Sequence, residues 1–157
     1  MSLNFPAIDK AAPAFSALNQ KSETVTLKSL KGKKVVLYFY PKAMTPGCTT
    51  QACGIRDSRD EFEKLNTVVL GISPDAPERL QKFIDKQELN FDLLSDEDHS
   101  IAEAYGVWAL KKFMGKEYVG IHRVTFIIDE KGVLRHIMAK VKTKTHHDDV
   151  LEIIKDM

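Results

Sequence analysis

The run Val35-Val36-Leu37-Tyr38-Phe39-Tyr40-Pro41-Lys42-Ala43-Met44-Thr45-Pro46-Gly47-Cys48-Thr49-Thr50-Gln51-Ala52-Cys53 carries a strand, a turn and a helix start in one stretch. Val35 to Tyr40 is continuously apolar, β-branched and aromatic, as a central strand buried on both faces requires. A Pro/Gly turn follows, and Pro46 suits the first turn of a helix. Cys48 therefore opens that helix. A thiol there meets free backbone N–H groups and the positive end of the helix dipole, and both favour the thiolate, the nucleophilic form. Cys48 and Cys53 are the only cysteines of the chain. The second is a candidate to resolve an oxidised first one.

The spacing of the two cysteines implies a moving step. Five residues along an α-helix advance roughly 7.5 Å and end about 140° apart on the wheel. A disulfide needs Cα atoms closer than about 7 Å with converging Cβ vectors. Cys48 and Cys53 cannot bond within an intact helix, so a bond between them requires the helix to unravel locally.

Working outward, the helix from Pro46 is expected to reach about Leu65. Ala52, Ile55, Phe62 and Leu65 fit one apolar stripe loosely, while Arg56, Asp57, Arg59, Asp60, Glu61 and Glu63 form a solvated face. Residues 14–20 and 23–30 suggest a hairpin around Lys21-Ser22. Thr67 to Ser73 reads as a second buried strand, and Pro77 opens a helix with Leu80, Phe83 and Ile84 at helical spacing. Phe91 to Leu94 is a short strand, and Ser100 to Tyr105 a short helix stopped by Gly106. Tyr118 to Arg123 leads into Val124 to Ile128. The turn Asp129-Glu130-Lys131-Gly132 then joins a hairpin partner, Val133 to Met138. Asp148 to Ile154 closes the chain as a helix. Strands alternating with helices, then a hairpin and a last helix, indicate an α/β fold with a central mixed β-sheet flanked by helices. A thioredoxin-like fold with an N-terminal β-hairpin fits this order.

The bulk properties are those of one globular domain, residues 1–157. Apolar residues make up 43% and charged residues 29% of a chain with net charge +1. That balance gives no sign of a nucleic-acid partner, and Lys31-Gly32-Lys33-Lys34 reads as a solvated turn. No apolar run approaches the ~20 residues needed to span a bilayer. Met1-Ser2-Leu3-Asn4-Phe5-Pro6 lacks a basic start followed by an apolar stretch, so no signal peptide is expected. A cytoplasmic, reducing setting follows, where paired cysteines are catalytic or metal-binding rather than structural.

The pattern Pro41-x-x-x-Thr45-x-x-Cys48 resembles the peroxiredoxin active-site motif. Its continuation through Thr49-x-x-x-Cys53 is similar to the bacterioferritin comigratory protein (peroxiredoxin Q) branch of that family. The resemblance runs from about Pro13 to the last helix and includes Gly71-Ile72-Ser73, Leu94-Ser95-Asp96, Tyr105-Gly106-Val107-Trp108 and Gly120-Ile121-His122-Arg123. It implies a thiol-dependent peroxidase that reduces hydrogen peroxide and organic hydroperoxides. In that scheme Cys48 is the peroxidatic cysteine, oxidised to a sulfenic acid, and Cys53 is the resolving cysteine, giving a Cys48–Cys53 intramolecular disulfide. Thr45 lends its hydroxyl to the thiolate and the peroxide, Pro41 shields the site from water, and Arg123 is the active-site arginine. The resemblance implies no metal and no organic cofactor. It points to thioredoxin as reductant, with a glutaredoxin or glutathione route as the alternative, and to a monomer, with a weak dimer as the alternative.

Without the resemblance, Arg123 does not stand out. Arg56 lies about 12 Å beyond Cys48 along a helix, too far for contact, and Lys42 reads as a solvated loop lysine. Trp108 is expected to pack in a loop or helix end, and His122 to be an ordinary strand residue. His146-His147 with the two cysteines has the wrong spacing for a zinc site and reads as a polar helix start. Asp96-Glu97-Asp98 reads as an acidic cluster at a helix N-terminus rather than a cation loop. Three rival functions stand beside the peroxidase. A disulfide reductase would carry C-x-x-C. A redox-regulated binding or sensor module would use the same disulfide switch. A structural disulfide protein would be expected to carry a signal peptide.

Overall fold

The structure, a computed structural model, describes residues 3–157; Met1 and Ser2, the start of the segment read for a signal peptide, lie outside the described residues. Its strands and helices follow in the order β1 (Ser16–Asn19), β2 (Thr24–Thr26), β3 (Lys34–Phe39), α1 (Pro46–Asp57), α2 (Arg59–Lys64), β4 (Thr67–Ser73), α3 (Pro77–Gln87), β5 (Leu93–Ser95), α4 (Ser100–Ala104), β6 (Trp108–Phe113), β7 (Lys116–Ile121), β8 (Thr125–Ile128), β9 (Leu134–Met138) and α5 (His146–Lys155).

Strand β3 organises the molecule. Val35 through Tyr40 are each at most 1% exposed, so the strand is sealed on both faces. Its period of two divides the core. Val35, Leu37 and Phe39 point into one apolar cluster with Tyr105, Phe126 and Ile128. Val36, Tyr38 and Tyr40 point into the other, with Ile55, Phe62, Phe83, Val150 and Cys48. Burying each such large side chain contributes about 1.5–3 kcal/mol.

The seven-stranded sheet runs β2-β1-β5-β4-β3-β8-β9. Pairs β3–β4 and β4–β5 are parallel, while β3–β8, β8–β9, β1–β5 and β1–β2 are antiparallel. This is the mixed, thioredoxin-like sheet expected, and the N-terminal hairpin extends its edge through β5.

Three local expectations need correction. The helix from Pro46 does not run unbroken to Leu65. It breaks at Ser58 (φ −102°, ψ 9°), whose carbonyl accepts the Glu61 and Phe62 N–H groups and starts α2. The break lets both Ile55 and Phe62 reach the core, at 1% and 2% exposure, which explains the loose stripe. Second, Trp108 lies not in a loop or helix end but at the start of β6, stacked on the His99 ring with centroids 3.8 Å apart. Strands β6 and β7 form a separate hairpin whose two-residue turn, Met114-Gly115, has positive φ at both positions (51° and 80°). A turn of that hand matches strand twist. The exposed, lysine-rich strands hid it from periodicity. Third, His122 falls between β7 and β8, not in a strand, and its Nε2 pairs with the Leu110 carbonyl oxygen at 3.0 Å.

Other readings hold with small shifts. Gly106 (φ 71°) ends α4, and α5 begins at His146 rather than Asp148. The Asp96 carboxylate accepts the Ile101 and Ala102 N–H groups at 3.1 and 2.9 Å, the helix-start role read for the acidic cluster.

Candidate active site

The site begins where β3 ends. Pro41 to Thr45 form a tight loop, with Met44 at φ 67° and Thr45 returning to extended backbone before Pro46 starts α1. Asp75, from the connection after β4, and Arg79, from the first turn of α3, hold this loop. The Asp75 carboxylate accepts the Ala43 N–H at 2.8 Å and the Ser73 hydroxyl at 2.7 Å, and the Arg79 guanidinium donates to the Ala43 carbonyl at 3.0 Å. Arg79 also pairs with Asp75 at 3.0 Å. Both backbone groups of Ala43 are thereby fixed, and Cys48 follows in the first turn of α1, only 2% exposed.

Arg123 reaches the same point from the far side. The Phe39 N–H donates to the Val124 carbonyl at 2.9 Å, which sets the chain before β8 beside the end of β3. Both terminal nitrogens of Arg123 donate to Cys48 Sγ at 3.4 Å, and Nη1 also donates to Gln51 Oε1 at 2.7 Å. A rigid planar fork suits this double contact, which a lysine ammonium would not reproduce. Lys111 of β6 adds a third positive group. Its ammonium donates to the Ile121 carbonyl at 2.8 Å. Burial, then the like charge of Arg123, pull its pKa below the lysine range, against the pull of Cys48.

The remaining expected residues fall as follows. Pro41 is half-buried in the loop. The Thr45 hydroxyl donates to the Lys42 carbonyl at 2.9 Å rather than to the cysteine sulfur, which leaves its oxygen free to accept. Lys42 is exposed. Cys53 is free and half-buried in α1, its thiol 3.7 Å from Gln87 Oε1. Arg56 is occupied by the Gln87 carbonyl at 2.6 Å and Asp57 at 2.9 Å, away from Cys48. His146 contacts neither cysteine; its ring nitrogens lie 3.2 Å from Gln51 Nε2 and 2.8 Å from Thr125 Oγ1. Among the described residues, no three His, Cys, Asp or Glu side chains are placed to hold a metal ion.

Sequence reasoning passed over Gln51, Asp75, Arg79 and Lys111, and read His146 only as part of a polar helix start, whereas the structure buries it completely. A signal existed only for Gln51, which stands three residues after Cys48 and so on the same helix face. The others reach the site through tertiary contacts.

The structure thus sets a buried cysteine at a helix start under an arginine fork, on a thioredoxin-like sheet. Residues 8–137 match the AhpC/TSA family model. The chain belongs to the AhpC/TSA family and is a peroxiredoxin of its Bcp and peroxiredoxin Q branch. It is 54% identical over 155 residues to the putative peroxiredoxin Bcp of Haemophilus influenzae, covering 99% of this chain and 100% of that protein. It is 51% identical over 150 residues to peroxiredoxin Bcp of Bacillus subtilis, covering 96% of each. Among solved structures, peroxiredoxin Q of Xanthomonas campestris matches with a TM-score of 0.87 and 34% identity, covering 98% of this chain and 96% of that one. A second structure of that organism's bacterioferritin comigratory protein, described in connection with alkyl peroxide reduction, matches with a TM-score of 0.87 at 33% identity, again over 98% and 96%. As a peroxiredoxin, the protein is a thiol peroxidase.

Proposed function

We propose that the protein reduces hydrogen peroxide and organic hydroperoxides at Cys48 and resolves the product through Cys53. The observation that carries this reading is the Arg123 fork, 3.4 Å by both nitrogens from a buried sulfur. The Cys48 thiolate attacks one oxygen of the O–O bond. An S–O bond forms, the O–O bond breaks, and the departing oxygen takes a proton to leave as water or an alcohol. Arg123 is aimed at the charge that builds on that oxygen, the kind of preorganised donor that lowers such barriers. The Thr45 oxygen, whose O–H donates to the Lys42 carbonyl, is free to accept a hydrogen bond from the hydroperoxide O–H. Pro41 limits water at the sulfenic acid.

The Cys53 sulfur then attacks the sulfenic sulfur, an S–S bond forms and water leaves. Both cysteines lie within one continuous helix here, so α1 must open for this step. A dithiol protein of the thioredoxin class supplies the two electrons that reset the cycle, with glutaredoxin or glutathione as the other route. An organic hydroperoxide is supported by the X. campestris neighbour and by the β6–β7 hairpin, which carries Lys111 and exposes Leu110, Phe113 and Tyr118.

The test is peroxide-dependent NADPH oxidation through thioredoxin and its reductase. Wild type should turn over rapidly. Cys48→Ser should abolish turnover, and Cys53→Ser should stop it after one oxidation. No turnover with any thiol donor, while Cys48 still oxidises, would overturn this reading in favour of a redox switch.

A further inference from the structure

The two adjacent histidines at the start of α5 have no part in the chemistry above, yet His146 is fully buried beside it. It ends a chain of side chains that starts at the reactive sulfur. Arg123 donates to Cys48 and to Gln51 Oε1 at 2.7 Å; Gln51 Nε2 lies 3.2 Å from His146 Nδ1; His146 Nε2 lies 2.8 Å from Thr125 Oγ1. Gln51, His146 and Thr125 are each 0% exposed, so bulk solvent does not reach that part of the chain. The Tyr38 ring packs edge-on against the imidazole, with centroids 5.5 Å apart.

The directions of these bonds are fixed from one end. Arginine has donors only, so the Gln51 atom facing it is the carbonyl oxygen. The Gln51 amide must then donate to His146 Nδ1, which is bare. The proton of the neutral ring therefore sits on Nε2 and goes to Thr125. An imidazole protonated at Nδ1 would face an amide N–H₂, and Gln51 could relieve that only by flipping. The flip would turn N–H donors towards a guanidinium. Burial, followed by electrostatic coupling to the adjacent His147, lowers the His146 pKa to about 4, alongside Arg123 and against the pull of Asp149. The ring is thus neutral at neutral pH.

We propose that His146 is a positioning residue for the peroxidase reaction: its bare Nδ1 locks the Gln51 amide with its oxygen towards Arg123, and so holds the guanidinium fork on the Cys48 sulfur. This rests on the assignment of Cys48 as the peroxide-reacting group. His146 touches neither sulfur nor substrate and acts only through Gln51.

The test has a direct and a mutational arm. Nitrogen-15 NMR of histidine-labelled wild-type protein at neutral pH should show His146 as the Nε2–H tautomer; the Nδ1–H tautomer or a protonated ring would overturn the proposal without any mutation. In a Cys53→Ser background, the rate of Cys48 oxidation by hydrogen peroxide is then compared in two variants. His146→Asn places a side-chain oxygen near the Nδ1 position and should stay within about threefold of wild type, whereas His146→Leu, which keeps bulk but cannot accept, should fall at least about tenfold. Equal loss in both, or no loss in a folded Leu variant, would refute the lock. Failure of the Cys48 assignment looks different: peroxide consumption would then survive Cys48→Ser.

Discussion

Replacing Arg123 by methionine probes the centre of the site with the least change in side-chain bulk. The substitution removes two N–H donors, each 3.4 Å from the Cys48 sulfur, and the 2.7 Å bond to Gln51. At that separation a unit charge pair is worth about 5 kcal/mol at an effective dielectric near 20. Part of this interaction already exists in the ground state, so only the share that grows as charge moves to the departing oxygen affects the rate. Loss of one such preorganised donor typically costs about 2.7–4 kcal/mol, or roughly 10²–10³ in rate. The expected second-order rate constant for Cys48 oxidation is therefore lower by about that factor. Arg123→Lys should recover part of it, because one ammonium cannot hold the sulfur and Gln51 together. Rapid mixing with hydrogen peroxide, followed by quenching and titration of the remaining thiol in a Cys53→Ser background, gives the constant directly. The variant leaves Gln51 Oε1 without its donor, at a stability cost of about 1–3 kcal/mol, so chemical denaturation must accompany the kinetics. A folded Arg123→Met protein that oxidises within threefold of wild type would refute the role assigned to the fork.

Four further outcomes follow from particular contacts. Buried His146, with its pKa lowered from 6.5 to about 4, binds its proton more weakly folded than unfolded. Its contribution to stability is therefore present above pH 6.5 and lost as pH falls from 6.5 towards 4, up to about 3 kcal/mol; urea unfolding across that range should show the loss, and His146→Asn should flatten it. Gly71→Ala would place a Cβ 2.8 Å from both Tyr38 Cζ and Leu93 Cδ2 in the packed core, which predicts a destabilisation of about 1–3 kcal/mol; an unchanged denaturation midpoint would contradict it. Asp75→Ala leaves the Ala43 N–H without its acceptor and removes the ion pair of Arg79, which should cost about 1–3 kcal/mol and slow Cys48 oxidation, measured as above. Oxidation with one equivalent of peroxide should speed amide hydrogen exchange over the first turns of α1 in wild type but not in Cys53→Ser; equal protection in both would contradict helix opening.

The sequence by itself determined the strand from Val35, the helix opening at Cys48 and the alternation of elements, because these rest on local signals: a sealed apolar run, a proline at a helix start, and turns with their own residues. It also placed both thiols on one helix, since helical geometry depends on spacing alone. The hairpin of Trp108 to Ile121 escaped, because its strands are exposed and their lysines carry no burial pattern. The break at Ser58 escaped because it is set by the need to bury Ile55 and Phe62 against one sheet face. Tertiary structure alone decided what surrounds the sulfur. Arg123 lies on a different strand connection, Asp75 and Arg79 after β4, and His146 at the start of the last helix, each far from Cys48 in sequence. They meet because β3 pairs with β4 on one side and β8 on the other, and because α5 packs against α1. Local chemistry can mark a nucleophile, but the groups that aim charge at it are gathered by the sheet order, which no short stretch of chain encodes.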